Sequence, residues 1–124
     1  MGQACSCAAR AGRELDLAAR ACQTVRGAMK LVDITEFYSQ RGGGVRTHLT
    51  QKAAACARLG HEHLVLAPGP KGAEDPGVRY LPGPATPYDP TYHLLWRVGE
   101  ARRAIRGLRP DVLELHSPYL AAHA

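Results

Sequence analysis

Aromatic residues make up only 6% of this 124-residue chain, with a single Phe and a single Trp. The chain is basic, with 16 Lys and Arg against 11 Asp and Glu, but no interleaving of aromatic and basic residues accompanies that charge. The pattern argues against nucleic acid as a partner and leaves only a general affinity for anions. No apolar run approaches the roughly 18 residues needed to cross a bilayer, which excludes a membrane-spanning helix. Cysteine is scarce and uneven: Cys5, Cys7 and Cys22 crowd the first 22 residues and Cys56 stands alone. No second pair supplies zinc-site spacing, so a metal is not expected, and a reduced, cytoplasmic chain is the natural reading. What remains, 45% hydrophobic and 22% charged, is the composition of an ordinary globular protein of one domain at most.

Composition divides the chain at Met29. Residues 1–28 are rich in Ala and Arg and read as a leader, disordered or weakly helical, with Leu15, Ala18, Cys22 and Val25 at helical spacing. The opening Met1-Gly2-Gln3-Ala4-Cys5-Ser6 also fits the loose N-myristoylation pattern. Residues 29–124 are expected to form the folded part.

Lys30 to Ile34 is a short apolar, β-branched run and predicts a first strand, followed by a polar loop from Thr35 to Arg41. Three glycines follow. Val45, Leu49, Ala53, Cys56 and Leu59 then recur at spacings of three and four until Gly60, predicting a helix. His63 to Ala67 and Val78 to Leu81 read as further strands, each closed by a Pro-Gly-Pro phrase. Between Thr91 and Leu108 the residues Leu94, Leu95, Val98, Ala101, Ile105 and Leu108 share one helical face, and Pro110 stops that helix. Asp111 to His116 makes a last strand. Short apolar strands alternating with helices predict an α/β fold, a Rossmann-like parallel sheet with helices on both faces.

In such sheets ligands bind at the carboxyl ends of the strands, and a glycine-rich turn opening a helix there lets backbone N–H groups approach an anion. Gly42, Gly43 and Gly44 occupy that position. The dinucleotide fingerprint is absent, because Thr47 stands where its third glycine would be, and the Walker pattern is absent too. Taken alone, the glycines read equally well as an anion cradle or as a turn that needs positive φ angles.

The phrase from Asp33 to Leu49, DITEFYSQRGGGVRTHL, resembles the opening of family 4 glycosyltransferases, retaining enzymes of the two-domain B-type fold. Two later phrases are also similar to the family, in order: Arg58 to Pro68, and Arg109 to Ser117. The family's second Rossmann domain has no counterpart among these residues. The resemblance therefore implies the incomplete N-terminal, acceptor-side half of a glycosyltransferase, inactive without its donor-binding partner domain. The alternative is a stand-alone α/β module that binds anions or regulates without catalysis.

The resemblance implies specific roles. Gly42, Gly43 and Gly44 would face the diphosphate of a nucleotide sugar, which serves as donor substrate with no further cofactor. Arg46 would add charge at the helix start or else face solvent. His116 matches the family's histidine that contacts the transferred sugar, where the residues alone suggest a strand-end histidine. Ser117 would assist by hydrogen bonding, and Glu36, Tyr38 and Arg41 would meet a glycan or lipid-linked acceptor. Retention in this family needs no carboxylate nucleophile, so Asp33 and Glu114 are given no catalytic role. His61 and His63 are expected at the surface. Arg97, Arg102, Arg103, Arg106 and Arg109 outnumber Glu100 in the second helix, which suggests peripheral contact with an anionic membrane at its inner face.

Overall fold

The computed structural model describes residues 27–117. Most of the leader, the myristoylation pattern and residues 118–124 lie outside the described residues. Six elements follow in order: β1 (Lys30–Ile34), α1 (Gly44–Arg58), β2 (Glu62–Gly69), β3 (Val78–Pro82), α2 (Val98–Leu108) and β4 (Val112–Leu115). The strands form one sheet in the order β3-β2-β1-β4, with every neighbouring pair parallel. This is the α/β class expected from the alternating pattern.

The helices separate the core into two halves. Val32 and Ile34 of β1 and Leu66 of β2 pack with Leu81, Leu95 and the α2 residues Ala101 and Ala104. Val65 and Ala67, which alternate with Leu66, pack instead with Tyr38 and Leu49 of α1. Period-two alternation thus sends one set of side chains to α2 and the other to α1. Asp33 belongs to the α1 set by the same alternation, and β1 lies between two strands, so its carboxylate is buried inside the sheet-helix interface.

The predicted second helix begins later than its apolar spacing suggests. Residues 91–97 are not helical; α2 starts at Val98. Hydrogen bonds within the loop claim the backbone first. Leu94 N donates to Pro84 O at 2.9 Å, Thr86 N to Tyr92 O at 2.8 Å, and Thr91 N to the Asp89 carboxylate at 2.9 Å. Gly83 permits this fold-back, since a Cβ there would collide with the Leu94 carbonyl. Of the two leucines, Leu95 is buried and Leu94 exposed. The proline loop is therefore a folded arm against the sheet edge.

β4 is an edge strand among the described residues, and Val112, Leu113 and Leu115 are exposed along it. Its backbone is anchored at both ends to β1: Asp111 N donates to Lys30 O at 2.9 Å and His116 N to Ile34 O at 3.0 Å. The second bond fixes His116 beside the carboxyl end of β1, where the loop toward the three glycines begins.

Candidate functional site

The glycine turn has the backbone that its composition suggested. Gly42 and Gly43 have φ of 127° and 113°, a region costly for any residue with a Cβ. Gly43 is the N-cap of α1, with no side-chain cap and no acidic residue in the first turn. Its carbonyl accepts the Thr47 N–H at 3.1 Å, whereas the N–H groups ahead of Thr47 have no intrahelical acceptor. These donors and the positive end of the helix dipole form an anion-compatible edge.

Arg46 does not extend from that edge as a free charge. Its guanidinium lies 3.7 Å from the Asp75 carboxylate, to which the Tyr80 hydroxyl donates at 2.6 Å. Burial and the hydrogen bond to Asp75 push the Tyr80 phenol well above its ordinary range. Tyr38 packs edge-on against Tyr80 with ring centroids 6.0 Å apart, and burial raises its phenol despite the opposing Arg46 charge. Tyr38 and Arg41 share a cleft of about 350 Å³ with Gln40, Tyr80 and His93. Glu36 lies apart, in an apolar groove of about 540 Å³ with Phe37, Tyr88, Tyr92 and Leu95. The three first-loop residues thus line two different depressions.

His116 follows β4 and is 16% exposed, with its ring edge-on to His48 of α1 at 5.9 Å between centroids. Ser117 is buried, and its hydroxyl has no hydrogen-bond partner among the described residues. The sheet register sets Asp33 opposite Glu114, two residues before His116. Beneath His116 these strands and α1 assemble a charged cluster that the sequence reading did not foresee. Lys52 Nζ donates to Asp33 Oδ1 at 2.8 Å and to Glu114 Oε2 at 2.5 Å. His63 Nε2 lies 2.7 Å from Asp33 Oδ2.

His63 is therefore not the surface residue expected. Its side chain is 2% exposed because it alternates with Val65 and Ala67 toward α1. His61 is half-buried, and its Nδ1 accepts the Met29 N–H at 3.2 Å. The two histidines serve separate bonds and do not form a shared site.

Burial pushes the Asp33 carboxyl upward, but hydrogen bonds from Lys52 and His63, together with the Lys52 charge, outweigh it and hold the carboxyl below its ordinary value. Burial likewise pushes the Lys52 ammonium down, and its bonds to Asp33 and Glu114 more than reverse this. One ligand atom each from Asp33, Glu114 and His116 lie within 4.8 Å of one another. The Lys52 ammonium already bonds both carboxylates, so the chain supplies its own cation there.

A parallel α/β domain with an open glycine turn and a histidine at one carboxyl edge has the Rossmann-like arrangement, in which ligands generally bind outside the carboxyl ends of the strands. A model of Glycosyltransferase Family 4 matches residues 42–124. The chain belongs to glycosyltransferase family 4, and its sheet is the N-terminal Rossmann-like domain of the B-type fold. It is similar to the GDP-mannose-dependent alpha-(1-6)-phosphatidylinositol dimannoside mannosyltransferase of Mycobacterium tuberculosis, in strains ATCC 25177 / H37Ra and CDC 1551 / Oshkosh. With each the identity is 33% over 92 residues, covering 70% of this chain and 24% of the relative. The chain thus spans about a quarter of the length of these relatives. No solved structure matches.

Proposed function

We propose that this domain is the acceptor-side half of a retaining glycosyltransferase that moves a sugar from a nucleotide-diphosphate donor to a glycan or lipid-linked acceptor. In this reading the domain is inactive without a donor-binding partner domain, because an open half-site cannot exclude water from the reacting sugar. The observation that carries the proposal is the convergence of two features at one sheet edge. The uncapped start of α1 offers backbone donors behind glycines of positive φ, and His116 is tied by its backbone to the end of β1. A diphosphate would accept from the helix N–H groups, and His116 would contact the transferred sugar. The buried Ser117 hydroxyl, without a partner among the described residues, would hydrogen-bond the same ligand.

Arg46 acts indirectly in this scheme. Its pairing with Asp75 fixes the first turn of α1 to the β2–β3 connection, and only loss of that half-buried pair would free it for phosphate. Tyr38 and Arg41 are assigned to the acceptor through their shared cleft, with Glu36 at the apolar groove beside it.

The relative's name directs the choice of first donor to GDP-mannose and of first acceptor to phosphatidylinositol mannosides. A panel of nucleotide sugars offered to the full-length protein with these lipids should give one preferred donor and a product that keeps the donor's α configuration. Product of inverted configuration would overturn retention. Absence of both transfer and nucleotide-sugar binding across the panel would favour the stand-alone anion-binding module.

Peripheral membrane contact at the inner face belongs to the same proposal, for a protein acting in the cytoplasm. Ala101, Ala104, Ile105 and Leu108 of α2 are committed to the core, whereas Arg102, Arg103 and Arg106 are exposed. Adsorption would therefore be electrostatic, at about 1 kcal/mol for each basic residue near the surface. Co-sedimentation with anionic vesicles is expected at low salt and should fall sharply by about 0.5 M salt as screening shortens. Equal binding to neutral vesicles would contradict it.

A further inference from the structure

The cluster beneath His116 is costly to build and is not used by the scheme above. Asp33 is fully buried in the middle of the sheet, and each of its oxygens is held by a different element. Lys52 of α1 holds Oδ1 at 2.8 Å, and His63 of β2 holds Oδ2 at 2.7 Å. A carboxylate bound in this way can neither rotate nor withdraw.

An ionised carboxylate only accepts hydrogen bonds, so His63 must carry its hydrogen on Nε2. That assignment agrees with His63 Nδ1 being buried with no partner among the described residues, where an N–H would be left unsatisfied. The fixed Oδ2 also faces a second ring. His116 Nε2 lies 3.6 Å away, and Glu114 Oε1 stands 3.7 Å from the same nitrogen. This nitrogen is buried and has no hydrogen-bond partner among the described residues. It is therefore surrounded by acceptors at slightly more than bonding distance, a spacing that can tighten when substrate closes a site.

We infer that Asp33 is the positioning residue for His116, and that Lys52 and His63 hold its carboxylate in place for that task. An anion facing Nε2 selects the tautomer with hydrogen on Nε2, which leaves Nδ1 as an acceptor. An acceptor nitrogen suits a sugar hydroxyl, which would donate to it. This inference rests on the reading of His116 as a sugar contact, but the selection of the tautomer does not.

The test uses the full-length protein with GDP-mannose and vesicles containing phosphatidylinositol mannosides. Asp33→Asn should lower kcat about 10- to 100-fold, with the donor KM changed no more than about twofold. Combined with His116→Ala it should cost no more than His116→Ala alone, because both changes remove one function. Multiplicative losses in the double variant would overturn the inference, since a residue acting only on folding would give them. Imidazole nitrogen NMR of the wild-type protein supplies a second criterion that survives misfolding of Asp33→Asn and does not depend on turnover. His116 with hydrogen on Nε2 supports the inference, and hydrogen on Nδ1 alone overturns it. Undiminished transfer by His116→Ala would instead remove the sugar-contact role, and the nitrogen spectrum would still judge the positioning.

Discussion

Replacement of Lys52 by methionine is expected to lower the unfolding free energy by about 3–5 kcal/mol at neutral pH, the cost of leaving a buried carboxylate without its cation. The Lys52 side chain is 18% exposed and that of Asp33 is fully buried, so water cannot take over the lost bond. The groups facing Asp33 are Lys52 from α1, His63 from β2, Glu114 opposite it on β4 and His116 just after that strand, with His48 of α1 reaching only the His116 ring. Without Lys52, burial is the dominant effect on the carboxyl and raises it, so the variant should recover part of its deficit as Asp33 takes up a proton on acidification. The wild type should behave oppositely. Its Asp33 is held below the ordinary value, so the associated stability is present above about pH 4 and lost as pH falls through the folded value. Lys52, held above its ordinary value, keeps its contribution until pH rises past about 10.5. Urea titrations of both proteins at pH 7 and pH 4 check this: the gap should narrow at pH 4, and a constant gap would mean that the pair is not the cause.

This cluster was the least legible part of the molecule, although its signals were present. Asp33 sits inside an apolar strand run, where a charged residue asks for a partner. Gly44, His48 and Lys52 recur every four residues, so the helix that opens at the glycine turn carries a histidine and a lysine along one face. His63 has the parity of Val65 and Ala67. Each pattern is weak alone, and only the register of β1 between β2 and β4 brings them to one point. The family resemblance gives no signal for them either, since a retaining enzyme of this kind requires no carboxylate nucleophile and the resemblance assigns no role to Asp33 or Glu114. A carboxylate can matter by holding another group.

The strands and α1 were legible because local pattern and tertiary contact agree there. Glycines bracket α1, and strand alternation divides the core cleanly between the two helices. The start of α2 was not, because Leu94 and Leu95 fit a helical face while the Leu94 N–H is captured by the Pro84 carbonyl ten residues earlier, a pairing that apolar spacing does not reveal. The glycine turn was legible in place and conformation, whereas the pairing of Arg46 with Asp75 depends on a loop far along the chain.

The larger functional effect should come from His116→Ala. The side chain is 16% exposed and packs on one ring, so its removal should cost only about 1 kcal/mol of stability. A contact to the sugar that strengthens as the glycosidic bond breaks is worth more, and its loss should lower kcat by at least about 100-fold, or about 2.7 kcal/mol of barrier. Donor KM should move little if the diphosphate is held by the α1 backbone, since those N–H groups are untouched by the substitution. A change confined to KM would instead mark His116 as a ground-state binding group.

The proposed transfer function is judged most directly by the initial rate of mannosyl transfer from GDP-mannose to phosphatidylinositol mannosides by the full-length wild type and His116→Ala proteins, compared at equal folded concentration. If His116 contacts the transferred sugar as proposed, the wild type transfers mannose and the variant loses at least about 100-fold of that rate at saturating donor. Equal rates in the two proteins would contradict it.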